Sequence, residues 1–106
     1  MNTMTAQAHQ AAQTYRREHL LNLSPVEVIY KLYDIAVISC KRDDLVLAQR
    51  ALNELIVGLN FEAGEVAINL YHLYDYCKRA IRQGRVDEAI TMLEELRATW
   101  AEAFKL

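Results

Sequence analysis

The sequence predicts an all-α fold: an antiparallel up-down four-helix bundle preceded by a short N-terminal helical segment. Three observations carry that expectation. Only three glycines and one proline punctuate 106 residues, which suits a few long elements and not a many-stranded sheet. Apolar residues recur at i, i+3, i+4 and i+7 in four long segments. No segment alternates apolar and polar residues with the period of two that a half-buried strand needs.

Element by element, residues 1–14 are polar and weakly patterned and read as a flexible tail, followed by a short segment around Tyr15 to Leu21. Ser24-Pro25 is a helix start, with Ser as N-cap, Pro in the first helical position and Glu27 supporting it. The helix from there, near 25–41, carries Val26, Ile29, Leu32, Tyr33, Ala36, Val37 and Cys40 on one stripe. Asp43 or Asp44 can cap a second helix, near 44–59, striped by Leu45, Ala48, Leu52, Leu55, Ile56 and Leu59. Asn60 and Gly64 break the pattern. A third helix, near 64–83, aligns Val66, Leu70, Leu73, Cys77 and Ile81, and Gly84 ends it in the left-handed conformation. The last, near 86–104, aligns Ala89, Ile90, Leu93, Leu96, Trp100 and Phe104, which makes Trp100 and Phe104 expected core residues.

A chain of this length holds one core. It is 53% hydrophobic and 25% charged with a net charge of −2, and its Lys and Arg are scattered. Without a basic stripe, nucleic acid is not an expected partner. No apolar run reaches the roughly 18 residues of a membrane span and nothing resembles a signal peptide, so a cytoplasmic protein is expected. Cys40 and Cys77 fall on core-facing positions and read as small buried hydrophobes. His9, His19 and His72 share no zinc spacing with them, so no metal or other cofactor is expected. No phosphate-binding glycine loop or Ser/Cys–His pattern is legible, so the expectation is a protein that is not an enzyme.

The helices carry more apolar surface than a small bundle hides. On a wheel at 100° per residue, Val28, Ile35 and Ile38 lie outside the stripe of the first helix. Val46, Leu47 and Val57 do so on the second, and Ile68 and Tyr71 on the third, where Tyr74 and Tyr76 flank the seam. Either an extra segment covers this surplus, or it forms an apolar groove for an added helix or extended peptide, with tyrosine hydroxyls at its rim.

Specific stretches go further. "SPVEVIYKLYDIAV" (Ser24 to Val37) resembles the SP…LYDGAI segment of the flagellar secretion chaperone family, FliS, and Tyr15 stands where that family has an N-terminal Tyr. "AQRALNELIVGLNFEAGEVAINLYHLYDY" (Ala48 to Tyr76) and "LEELRATWAEAF" (Leu93 to Phe104) are similar to two further blocks of that family, in order. Two departures matter. Ile35 replaces the family's LYDG glycine, adding bulk to the first helix. The chain is also shorter by roughly four helical turns between LYD and LNFE, and by about two between LYDY and LEELR. Both losses fall at one end of an up-down bundle, which would keep the helices in register. The competing outcome is fusion of the two helices around Lys41 to Asp44 into a swapped dimer.

The resemblance implies a cytoplasmic export chaperone with residues 15–106 as one helical-bundle domain. Its partner would be the C-terminal segment of flagellin, kept from polymerising before type III flagellar secretion, with the flagellar export machinery as a further partner. Tyr15, Val28, Ile35, Ile38, Ile68, Tyr71 and Tyr74 are the candidate partner-binding residues, with Tyr15 covering the groove while it is empty. A monomer or weak homodimer is expected. Two other readings stand beside it. "RQGRVDEAITMLEEL" (Arg82 to Leu96) looks like a helical-repeat hairpin, although no 34-residue period recurs. A homotypic oligomerisation bundle would use the same apolar faces.

Overall fold

Pro25, with its φ preset for a helix and no amide hydrogen to leave unpaired, opens the first element in the computed structural model, which describes residues 25–106. The elements are α1 (Pro25–Lys41), α2 (Leu45–Val57), a 3₁₀ turn (Phe61–Ala63), α3 (Glu65–Arg82) and α4 (Val86–Phe104). No strand occurs among the described residues. Each helix packs on its two cyclic neighbours: α1 on α2, α2 on α3, α3 on α4, and α4 back on α1. The closure of α4 on α1 makes a four-helix bundle and not a stack of repeats. Tyr15, the expected tail and the expected Ser24 cap lie outside the described residues.

Two tight turns at one end of the bundle join α1 to α2 and α3 to α4, and their hydrogen bonds match. After α3 the Arg85 N–H donates to the Ala80 carbonyl at 2.8 Å and the Gly84 N–H to Ile81 at 3.2 Å, around Gly84 at φ +79. After α1 the Asp44 N–H donates to Ser39 at 2.8 Å and the Asp43 N–H to Cys40 at 3.1 Å, around Asp43 at φ +60. Both are Schellman turns, the first with the glycine such a φ favours and the second with an aspartate that tolerates it. Asp44 then caps α2, its carboxylate accepting from the Leu47 N–H at 3.2 Å. The Lys41–Asp44 segment therefore turns, and α1 does not fuse with α2. At the other end Asn60 accepts from the Glu62 N–H at 3.0 Å, and Gly64 at φ +72 sets the entry to α3.

The core is built from Tyr33, Ala36, Val37, Leu52, Leu55, Tyr74, Cys77, Ile81 and Leu93 with small residues between them, and Ile29, Leu32, Leu70 and Trp100 pack around it. Val66, Leu73 and Phe104, expected in the core, are not part of it. Val66 is 65% exposed, because α3 is rotated by about one position and buries Ala67 and Tyr74 in place of Val66 and Leu73. The rotation places the larger Tyr74 ring against Tyr33, with centroids 6.1 Å apart. Phe104 is 47% exposed, its ring resting on Trp100 where α4 ends at the left-handed Lys105.

Trp100 does hold the bundle together. Its indole N–H donates to the Val26 carbonyl at 2.8 Å, and its ring meets Tyr33 edge-on at 6.2 Å. Trp100→Ala should therefore cost on the order of 3 kcal/mol in urea unfolding. Phe104→Ala should cost less than about 1 kcal/mol, as an exposed site does.

The Tyr33 and Tyr74 hydroxyls lie 2.6 Å apart in the core and bond each other. Removing either hydroxyl leaves the other buried without its partner, so Tyr33→Phe or Tyr74→Phe should each cost about 1–3 kcal/mol. The double variant should unfold at nearly the wild-type urea midpoint, and a double-mutant cycle measures the coupling.

Candidate binding surface

The four faces of the bundle differ in how they are sealed. Between α1 and α4 the seam is crossed by Arg97–Asp34 at 2.7 Å, Lys41–Glu94 at 3.0 Å and the Trp100–Val26 bond. The exposed Lys41–Glu94 pair adds only about 0–1 kcal/mol, but with the part-buried Arg97–Asp34 pair it leaves this face polar and cross-linked. The α3–α4 turn is likewise clamped: Tyr76 and Arg85 both hydrogen-bond Glu88, and the Arg79 and Arg85 guanidinium groups lie over the Tyr76 ring. The Tyr76 hydroxyl and Arg85 hold the Glu88 carboxyl below the usual carboxylate range.

The apolar excess is on the opposite side. Among the described residues ten large hydrophobic side chains are exposed, and seven of them belong to α2, the 3₁₀ turn or α3: Val46, Leu47, Val57, Phe61, Val66, Ile68 and Tyr71. That distribution makes the α2–α3 face, across the bundle from the ion-paired seam, the candidate binding surface. Phe61 and Tyr71 stack edge-on at 6.3 Å, and Tyr71 meets His72 in the same way, so the aromatic groups form one exposed cluster.

Among the described residues, grooves run between α1 and α2, between α2 and α3 and between α3 and α4, and a cavity opens at one end of the bundle. The α1–α2 groove is lined by Ile35, Ile38 and Leu47, with charges of both signs at its rim. The α2–α3 groove, ≈ 470 Å³, has Leu45, Val46 and Ile81 with Gln49, Asn53, Arg50 and Arg82. The α3–α4 groove contains Leu73, Tyr76 and Met92. The end cavity, ≈ 170 Å³, opens beside the 3₁₀ turn and reaches Leu55, Leu70, Tyr74 and Trp100.

The candidate residues do not line one groove. Ile38 is 40% exposed, while Ile35 is half-buried against the core and Val28 is partly buried. These three sit on α1, whereas Ile68 (46% exposed) and Tyr71 sit on α3, the diagonal helix. Tyr74 is corrected: at 1% exposure it is a core residue whose hydroxyl is taken by Tyr33, so it is not part of the exposed face and meets open space only at the end cavity. Tyr15 lies outside the described residues. Phe61 was missed, because "LNFE" has no helical stripe to be measured against; its neighbour Asn60, a turn former before an aromatic, was the available signal.

Cys40 and Cys77 are free and buried, as their stripe positions foretell. Burial raises the Cys40 thiol, and burial with the Cys40 and Glu88 charges nearby pushes Cys77 up to about 12, away from nucleophilic or ligating thiolate chemistry. Burial also lifts the Tyr33 and Tyr74 phenols. Among the described residues no group of three or more His, Cys, Asp or Glu is placed to hold a metal ion. No helix among them is long and apolar enough to cross a membrane.

The described residues thus define an all-α, four-helix bundle with one polar, cross-linked face and one exposed apolar face. The chain belongs to the flagellar protein FliS family, whose family model matches residues 7–106. That family is one of flagellar chaperones and not of enzymes. No curated protein and no solved structure matches the chain.

The raised thiol and phenol values fix a pH dependence. The folded state keeps these groups neutral, so their stabilisation is complete below the ordinary thiol value of 9.0 and is lost as pH climbs towards about 12. The urea midpoint should stay level to roughly pH 8.5 and fall above it. Cys77→Ala should make that alkaline fall shallower.

Proposed function

We propose that the protein is a cytoplasmic export chaperone that binds the C-terminal segment of flagellin and prevents its premature polymerisation before type III secretion. The observation that carries this reading is the concentration of exposed apolar residues on the α2–α3 face of a protein belonging to the FliS family. Leaving Val57, Phe61, Ile68 and Tyr71 in water is unfavourable, and a partner that buries them recovers roughly 1.5–3 kcal/mol for each fully covered side chain. Because the candidate residues are split between α1 and the diagonal α3, the client wraps the bundle across α2 and avoids the ion-paired α1–α4 seam. Residues 15–106 act as one domain in this proposal, and Tyr15 on the preceding segment covers the apolar face while no client is bound.

The test is calorimetric titration of the full chain with the C-terminal segment of a flagellin from the same organism. Ile68→Glu and Ile38→Glu should each weaken binding at least about tenfold, because a charge is then buried against the client. Their melting temperatures should stay near the wild-type value, since both side chains are exposed. Variants that fold and bind normally would remove this surface from the function; a wild-type chain that binds no flagellin segment would remove the function itself.

A further inference from the structure

We propose that the α2–α3 groove between Arg50 and Arg82 receives an acidic, amphipathic helical stretch of the client; this rests on the client-binding reading above and specifies the chemistry of the bound segment. The groove is distinctive in its charge. Its lining is Leu45, Val46 and Ile81 with the amides of Gln49 and Asn53 and the two arginines, and no Asp or Glu contributes to it. The α1–α2 groove, by contrast, has Lys31 and Arg42 balanced by Asp34 and Asp44.

Neither arginine is engaged elsewhere. Lys41, Arg79, Arg85 and Arg97 each hold a carboxylate within the bundle, whereas Arg50 and Arg82 have no hydrogen bond or ion pair among the described residues. Two uncompensated cations thus flank an apolar trough in a chain whose net charge is −2. Within the same lining Gln49 spans the helices by donating to the Lys78 carbonyl at 3.0 Å.

The occupant follows from complementarity. Apolar residues at i and i+4 of a helix, one turn apart, fill the Leu45–Val46–Ile81 trough. Carboxylates on either side of that stripe meet the planar guanidinium forks, which accept a carboxylate in two-point contact. A basic or uncharged segment would leave both arginines desolvated without a partner. The charge contacts would also favour encounter and set the orientation of the bound segment.

Calorimetric titration of the full chain with the flagellin C-terminal segment tests this at about 50 and 300 mM salt, where screening lengths differ more than twofold. Wild-type affinity should fall several-fold as salt rises. Arg50→Glu/Arg82→Glu should weaken binding about tenfold at low salt and flatten the salt dependence. The milder Arg50→Gln/Arg82→Gln pair should lie between, and circular dichroism melting verifies that both variants fold. A client segment with its Asp and Glu replaced by Asn and Gln should bind wild type no better than the reversed variant binds the native segment. Ile68→Glu should lose affinity while keeping the wild-type salt slope, which separates apolar from charged contacts.

Binding of the native segment with no salt dependence and unchanged affinity in the reversed variant would overturn the groove proposal alone. Absence of binding by wild type would overturn the client reading and this proposal with it. A chain that sediments as a dimer, and as a monomer once Arg50 and Arg82 are reversed, would assign the groove to a second copy and also overturn the proposal.

Discussion

Two phenol hydroxyls in an apolar core have to satisfy each other, and the Tyr33–Tyr74 pair does so across the bundle from α1 to the diagonal α3. Much of the architecture is arranged around the two rings that carry them. Their packing goes with the rotation of α3 that buries Ala67 and Tyr74 and leaves Val66 in solvent. Trp100 packs against Tyr33 and reaches the Val26 carbonyl, tying α4 to α1 at the same place. Small residues make this geometry possible. Ala36, Ala48, Ala51, Ala67, Ala80 and Ala89 are all buried, letting the helices approach around two large rings.

The same choice decides what remains outside. A core filled by two tyrosines, a tryptophan and a row of alanines has little room for the branched residues beside the seams of α2 and α3. Val46, Val57, Ile68 and Tyr71 therefore face solvent, while the α1–α4 side is sealed by two ion pairs and an indole hydrogen bond. The bundle is consequently polarised across its diameter, with an apolar face opposite a polar one. For a chaperone-family protein this arrangement separates two demands: a bundle that stays closed without a partner, and apolar surface that stays available to one. The buried thiols and phenols are driven towards their neutral forms.

The short connections keep the two hairpins of the bundle in register. Lys41–Asp44 and Gln83–Val86 lie at one end, and each closes its helix with the same pair of backbone bonds. Turns of matching geometry return α2 along α1 and α4 along α3 without shifting one hairpin relative to the other. Gly84 meets the left-handed requirement at no steric cost, whereas Asp43 meets it with a side chain that tolerates that region. Asp44 then serves two helices, ending α1 through its backbone N–H and capping α2 through its carboxylate.

What the sequence determined by itself was the local and periodic part. Pro25, Asp44, Gly64 and Gly84 marked the helix ends to within a residue or two, because capping and turn chemistry depend on neighbours along the chain. The 3.6-residue stripes identified the all-α class and most of the core, and the off-stripe positions Ile38, Val46, Leu47, Val57, Ile68 and Tyr71 are exposed as their angles require. Only the tertiary structure decided which tyrosine was core. A wheel places Tyr74 at the flank of its stripe, and nothing along α3 reveals a second hydroxyl waiting on α1. Nor could periodicity show that Ile38 and Ile68 stand on diagonal helices, or that Arg50 and Arg82, 32 positions apart, border one groove. Those are relations between elements, and they exist only once packing has fixed the order and rotation of the four helices.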